Sequence, residues 1–351
     1  MVEEFNMSIN KKLEEIKEVL ENSQSPLFFF DNDQDGLCSF LLLRRYLGRG
    51  KGIAIKATPM GKEYLKRIEE FNPDSIFILD QPQISEEFFE EIRKLNLPLT
   101  CIDHHNIDTS LIPSFVNYYN SFFEKTTPQE PVTAICYRIT KRKEDLWIAI
   151  VGCLADRFVP NFYENFLKEY PELGFISDNA FEIFYKSEIG KISQILGAGI
   201  KDKTSNVMKM IRFLINSKSP YEVLEETSEN SSFHKRFREI SKKYNALINK
   251  AKSKFNEEKV LFFKYSGTLS ISAELSNYLI YNYPHKIIIV GYVKGSRITL
   301  SIRGKNVLSK ILKIINKIEN CSGGGHEEAI GAKMDLKDFD FFIKEVKKEF
   351  S

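Results

Sequence analysis

The sequence predicts an α/β protein: a doubly wound, mostly parallel sheet, joined by a helical connector to a smaller α/β domain. Three observations carry this expectation. Between Leu27 and Ile102, short apolar runs alternate with amphipathic segments, and strands separated by helices need crossovers that make neighbouring strands parallel. From Pro131 to Phe255 the pattern is mainly helical, and near Lys259 the alternation of strands and helices resumes. The 351 residues are enough for one large domain and one small one.

Residues 8–21 open as an amphipathic helix, with Ile9, Leu13, Ile16 and Leu20 on one face. Strands are expected at 27–30, 53–57, 76–79 and 99–102, with helices at 37–47, 63–71 and 86–95 between them. The apolar stretch 146–154 reads as a buried helix. The basic segment carrying Lys235, Arg236, Arg238, Lys242, Lys243, Lys250, Lys252 and Lys254 reads as the connector. Beyond it come a strand at 260–265, a helix at 270–281 and a hairpin of 287–293 with 297–302 around Lys294-Gly295-Ser296. A helix at 307–318, a glycine-rich loop at 321–326, a strand at 330–334 and a helix at 337–350 complete the chain. These boundaries give domains at 1–220 and 258–351, with the connector at 221–257.

Bulk composition excludes more than it assigns. A net charge of +2 gives no global basic field, so any grip on a polyanion is local. Cys38, Cys101, Cys136, Cys153 and Cys321 form no C-x-x-C pair and fall mostly in apolar stretches, which points to free thiols in a reducing compartment. No residue pattern near the start resembles a signal peptide and no apolar run is long enough to span a bilayer, so a cytoplasmic protein is expected. Cysteine nucleophile chemistry is not indicated, because no thiol has a placed histidine partner and Cys101 lies inside a core strand.

The chemistry-bearing residues fall where a parallel sheet would gather them. Asp31, Asp80 and Asp103 each follow the last apolar residue of an expected strand. In open α/β sheets ligands bind beyond the carboxyl ends of the strands, so all three carboxylates should converge on one rim. Asp33 and Asp35 belong to the run Asp31-Asn32-Asp33-Gln34-Asp35-Gly36, and Asp156 follows the apolar helix. The first run also opens like an EF-hand loop, but its twelfth position is Leu42 rather than glutamate, and a strand rather than a helix precedes it. Asp80 alone reads as a helix N-cap, a role Ser85 can equally fill. Asp103-His104-His105 is more telling. Neighbouring side chains on extended backbone point opposite ways, so one imidazole can face metal while the other faces substrate. Carboxylates and imidazoles so gathered suit two divalent metals and phosphoester hydrolysis.

Of the five histidines, His234 and His285 read as surface residues. Gly323-Gly324-Gly325-His326 precedes Glu327-Glu328-Ala329 and reads as a loop leading into a helix start, where free backbone N–H groups bind phosphate. Arg303 on the neighbouring strand offers a bidentate phosphate contact. The aromatics Tyr118, Tyr119, Phe122 and Phe123 look exposed and mark a candidate contact surface.

Taken together, Asp31 to Gly36, Asp80, Asp103-His104-His105 and Asp156 resemble the four motifs of the DHH phosphoesterase superfamily. The loop at 323–326 with Ser301-Ile302-Arg303 resembles its associated type 1 nucleotide-gripping domain, and the nearest subgroup is the archaeal RecJ-like single-strand exonucleases and related oligoribonucleases. This resemblance implies that Asp31 and Asp33 hold one metal and that Asp35, His104 and Asp156 hold the other, with Asp80 shared. Asp103 would orient His104, and His105 would face the scissile phosphate. Arg303, Gly323, Gly324, Gly325 and His326 would hold the adjacent nucleotide. Two divalent ions are implied, Mn²⁺ first and Mg²⁺ second, since the ligands are mostly oxygen.

The implied activity is removal of nucleotides from an end of single-stranded RNA or DNA as nucleoside 5′-monophosphates, with a lean towards 3′ to 5′. The partners are single strands or short oligonucleotides, with association with replication or repair proteins as an accompaniment. An oligoribonuclease or cyclic-dinucleotide phosphodiesterase is the first alternative, and a non-catalytic replication or repair scaffold is the second. Bacterial RecJ continues into an OB-fold that stacks single strands, whereas the sequence here ends within a helix of the second domain, so less processivity and a preference for short or frayed substrates are expected.

Overall fold

The computed structural model describes residues 2–56, 59–123, 129–255 and 257–350, with backbone only for residues 2–9 and 326. The chain divides into two compact units, Met1–Phe237 and Arg238–Ser351.

In the first unit a helix, α1 (Val2–Asn22), leads into β1 (Pro26–Asp31), α2 (Gln34–Leu47), β2 (Lys51–Ile55), α3 (Leu65–Phe71), β3 (Ser75–Leu79), α4 (Glu86–Leu95) and β4 (Leu99–Asp103). A fifth strand, β5 (Asn117–Asn120), follows without an intervening long helix. The strands lie in the order β2-β1-β3-β4-β5, all parallel. Alternation along β1 explains the double winding. Phe28 and Phe30 face one helical layer, containing Leu13, Ile16 and Leu20 of α1 and Leu37 to Leu43 of α2. Leu27 and Phe29 face the other, containing Ile68 of α3 and Phe88, Phe89 and Ile92 of α4. The strand order reverses direction between β1 and β3, the switch point at which ligands of doubly wound sheets bind.

Helices complete this unit: α5 (Val132–Thr140), α6 (Leu146–Ala155), α7 (Tyr163–Glu169), α8 (Ala180–Lys186), α9 (Glu188–Gly199), α10 (Thr204–Asn216) and α11 (Pro220–Leu224). Trp147 and Ile150 of α6 are fully buried, as the unbroken apolar run required. Arg45 fastens these helices to α2. Its Nε lies 2.7 Å from Asp145 Oδ1, and its Nη1 donates to the carbonyls of Leu214, Ile215 and Ser217 at the end of α10. A further helix, α12 (Ser231–Lys252), runs across the boundary between the units.

The second unit contains β6 (Val260–Ser266), α13 (Ser272–Asn282), β7 (Ile287–Lys294), β8 (Arg297–Arg303), α14 (Leu308–Ile315), β9 (Ser322–His326), β10 (Ala329–Asp335) and α15 (Phe339–Phe350). Its sheet order is β6-β7-β8-β10-β9, with only β6 and β7 parallel. Ile289, Ile302 and Ile330 pack against α14 and α15 on one face. Leu275 and Leu279 of α13 pack with Ile288 and Val290 on the other.

Most expected elements are present, with shifted ends. The second strand is Lys51–Ile55 rather than 53–57, and Ala57 lies outside the described residues. Three expectations are corrected. The segment 321–326 is not a loop before a helix: residues 322–326 form β9, an edge strand hairpinned to β10, because the alternating Ile330, Ala332 and Met334 bury one face and draw β9 alongside. His234 is buried rather than superficial, its Nε2 2.8 Å from the Val223 carbonyl. Tyr119 is a core residue, since period two on β5 turns it inward. No described helix is long and apolar enough to cross a membrane.

Candidate active site

The carboxyl rim of the first sheet gathers its side chains by register. Phe30 pairs with Leu79 and Leu79 with Ile102, so Asp31, Asp80 and Asp103 stand one residue further along three adjacent strands. Asp103 in turn pairs with Asn120.

Local backbone then aims each group. Asp33 caps α2 by accepting from the Gly36 N–H at 3.0 Å. Gly36 is required there, because a Cβ would lie 2.5 Å from the Asp31 carbonyl oxygen. Asp35, in the first turn of α2, accepts from the N–H groups of Val132 (2.9 Å) and Thr133 (2.7 Å), which no helical carbonyl reaches at the start of α5. Asp80 adopts a left-handed φ of 60°, unusual for a residue with a Cβ, while its N–H donates to the Ile102 carbonyl. It caps no helix; Ser85 accepts from Phe88 N–H at the start of α4. Asp156 ends α6. Gly152 lets α6 press against α2 and α5, since a Cβ there would meet Thr133 Oγ1 at 2.2 Å.

His104 Nε2 lies 3.3 Å from both Asp80 Oδ1 and Asp156 Oδ2, and 4.0 Å from Asp35 Oδ2. The His105 ring is turned 69° from it, with Nδ1 2.8 Å from Asp103 Oδ1. Asp103 therefore orients His105, not His104 as expected from the motif, because the second imidazole is the one that turns back towards the strand end. Both histidine carbonyls are clamped: Gln129 Nε2 donates to His104, and Asn120 Nδ2 donates to His105 at 2.9 Å.

Ligating atoms converge in three overlapping groups: Asp31, Asp33 and Asp80; Asp35, His104 and Asp156; and Asp80, His104 and His105. Within each, the atoms lie within 4.8 Å of one another. Every residue expected as a metal ligand falls in one of them. The carboxylates repel one another in a dry setting. Burial, then Asp33, pushes Asp31 up to about 8; burial, then Asp156, pushes Asp35 up to about 6. Burial followed by neighbouring carboxylates raises Asp80 well above the usual range, and burial also raises Asp33 and Asp156. Burial pulls His105 down, but the hydrogen bond and charge of Asp103 outweigh it, so the net shift is upward. Among the described residues Asp80 Oδ1 is buried without a hydrogen bond. A buried oxygen with no hydrogen bond, among carboxylates that raise one another, is what cations neutralise, and oxygen ligands with one or two imidazoles fit Mn²⁺ or Mg²⁺.

Sequence reasoning missed Asn120 and Gln129, single polar residues with no motif around them. It also missed Lys201, which follows α9. Burial pushes Lys201 down to about 8 against the opposing pull of Asp33, and its carbonyl accepts from Arg236 Nη2 at 2.9 Å. Only their three-dimensional neighbours distinguish them.

In the second unit Arg303 is 9% exposed, so it is no ordinary surface arginine. Its Nε donates to Asn277 Oδ1 at 2.7 Å. Register aligns Arg303 with Ala329 and Ala329 with His326, a row across β8, β10 and β9. Gly324 stands beside Gly331, and a Cβ on either would meet nothing within 4 Å, leaving the backbone there open to a ligand. Gly323 and Gly325 instead sit against Ile315 and the Ala329 carbonyl. The His326 side chain lies outside the described residues.

At the level of sequence, no protein-family model and no curated protein matches this chain. Its fold does have relatives among solved structures. RecJ from Thermus thermophilus in complex with Mn²⁺ superposes with a TM-score of 0.69 at 15% identity, over 97% of this chain and 54% of that one. An exonuclease RecJ bound to manganese gives 0.65 at 16% identity, over 97% of this chain and 93% of that one. The DHH domain of a member of a ribosomal-protein family gives 0.67 at 14%, over 99% and 91%. The chain has the fold of the DHH proteins. It spans about half the length of the Thermus RecJ, which is also described in complex with Mg²⁺. The sheet rim and the β9–β10 hairpin belong to separate units.

Proposed function

We propose that this chain is a metal-dependent phosphodiesterase of RecJ type, removing nucleotides from an end of single-stranded RNA or DNA as 5′-monophosphates. One observation carries the proposal: Asp31, Asp33, Asp35, Asp80, His104 and Asp156 converge as overlapping ligand groups sharing Asp80 and His104. A scaffold has no use for buried carboxylates that raise one another's pKa, because their repulsion opposes folding.

In this reading Asp31, Asp33 and Asp80 hold one divalent ion and Asp35, His104 and Asp156 the other. The ions supply charge neutralisation at the phosphoryl group and a lowered pKa for attacking water. His105, kept protonated at Nδ1 by Asp103, offers the opposite side of its ring to a phosphoryl or leaving oxygen. Arg303, fixed by Asn277, binds a nucleotide phosphate on the second unit, with Gly324 giving close backbone approach. Residues 221–257 act as the connector between catalytic and nucleotide-binding domains, and the protein works in the cytoplasm.

The test is Mn²⁺-dependent digestion of single-stranded RNA and DNA labelled at each end in turn. A ladder shortening from one end supports the exonuclease and fixes polarity, with 3′ to 5′ expected. Mononucleotide release from dinucleotides alone moves the assignment to a small-substrate phosphodiesterase. Wild-type silence on every substrate with Mn²⁺ and Mg²⁺ sinks the enzymatic reading and favours a replication or repair scaffold.

A further inference from the structure

The rim carries a feature that metal and phosphate chemistry leave unused. Beyond β5 the chain makes a short turn, Ser121–Phe123, which leaves Phe122 38% and Phe123 42% exposed. Single exposed apolar side chains are ordinary, but two adjacent rings on a turn braced against a catalytic motif are not. The bracing is specific. The Asn120 side chain donates through Nδ2 to the His105 carbonyl and accepts through Oδ1 from the Phe122 N–H at 2.8 Å, so one amide links His105 to Phe122. Buried Ser121 donates to the Glu130 carbonyl at 2.7 Å, and the neighbouring Gln129 returns to the His104 carbonyl. The aromatic turn is therefore tied to both histidines. Of the aromatics in this stretch, Tyr119 belongs to the core and Tyr118 bonds Asn120 through its hydroxyl; only the two phenylalanines remain outward.

Their arrangement selects an occupant. The ring centroids are 5.3 Å apart and the planes meet at 81°, so the pair forms a corner that offers one face and one edge. A flat aromatic group stacks on the face while the adjacent ring flanks it. Phenylalanine has no hydrogen-bonding group, so such a corner accepts any base without reading it. We propose that Phe122 and Phe123 form a stacking corner for a nucleobase of the substrate strand, adjoining the phosphate that faces His105. The proposal rests on the phosphodiester reading above. It gives the catalytic unit its own grip on single strands, independent of the second unit, and one that a base-paired nucleotide cannot enter.

The experiment is a cycle between protein ring and substrate base. KM is measured for wild type, Phe122→Ala, Phe123→Ala and the double variant on a single-stranded oligonucleotide and on strands carrying one abasic position, scanned inward from each end. Base–aromatic stacking sets an expected rise in KM on the order of tenfold for the double variant. At one abasic position, removing the base and removing the rings give the same rise alone and together, and Phe122→Trp restores binding. Independent, additive rises at every position overturn the stacking corner even if digestion proceeds. Binding is also read with 2-aminopurine strands in Ca²⁺, which needs no turnover. Quenching on wild type that disappears in the double variant supports the corner even if the phosphodiester reading fails; equal quenching overturns it.

Discussion

Replacing Asp31 by asparagine separates stability from metal binding. Asp31 is partly buried at the end of β1 and is pushed from 3.8 up to about 8, first by burial and then by Asp33. A folded-state pKa above the unfolded one stabilises fully below about pH 4, and that contribution is lost as pH rises towards 8. At 1.36 kcal/mol per unit, the metal-free fold at pH 7.5 carries a penalty of about 5 kcal/mol as a ceiling. Partial exposure and water entry reduce it to about 1–3 kcal/mol. The amide of the variant does not titrate, so the metal-free variant should melt about 2–8 °C higher than wild type at pH 7.5. At pH 5 the same linkage leaves about a third of that gain. With Mn²⁺ the gap narrows: an ion at 100 times its Kd stabilises wild type by about 2.7 kcal/mol, and the variant gains less. Thermal melts in EDTA and in Mn²⁺ at both pH values give the comparison. A lower melting point for Asp31→Asn in EDTA at pH 7.5, or an equal Mn²⁺ gain for both proteins, would refute the reasoning.

Four other outcomes follow from particular contacts. Gly36→Ala should cost about 2–4 kcal/mol and weaken Mn²⁺ binding, because its Cβ meets the Asp31 backbone at 2.5 Å; urea unfolding reads the first effect and calorimetry of metal binding the second. Asp103→Asn removes the partner that raises His105, so the alkaline limb of kcat/KM should move to lower pH, with activity at pH 8 down about 10²-fold in a pH–rate profile. Asn277→Ala removes the Nε partner of Arg303 and should weaken nucleoside monophosphate binding about 5-fold by titration, with Arg303→Lys losing more because the guanidinium fork is lost. Arg45→Met leaves the buried Asp145 carboxylate with the longer 3.6 Å contact to Arg142 Nε and should cost about 3 kcal/mol in urea unfolding.

The first sheet was legible because period-two runs such as Phe28 to Phe30 bury both faces, and because parallel order places Asp31, Asp80 and Asp103 on one rim. The strand Asn117–Asn120 was not, since Asn-Tyr-Tyr-Asn lacks an apolar run and is held by pairing with Thr100 to Asp103. The clustering of Asp31, Asp33, Asp35 and His104 could be anticipated because they stand in compact motifs, and that of Asp80 because it ends a strand of the same parallel sheet. The partner of Asp103 could not, since adjacent residues leave two imidazoles to choose from and only ring rotation decides. The glycine segment at 323–326 misled for a similar reason: glycines suit loops, yet the alternating face of β10 recruits them into an edge strand.

The clustered ligands are scattered along the chain from Asp31 to Asp156, and each waits on a different event. Asp80 needs β3 beside β4, Asp35 needs the start of α5, and Asp156 needs α6 seated through Gly152. No partly folded chain lacking any of these can chelate an ion well. A cation held there would work as a late latch, slowing escape from the native state far more than hastening arrival. Removing such a divalent ion would first shorten the lifetime of the protein, visible as faster proteolysis before any change in its shape.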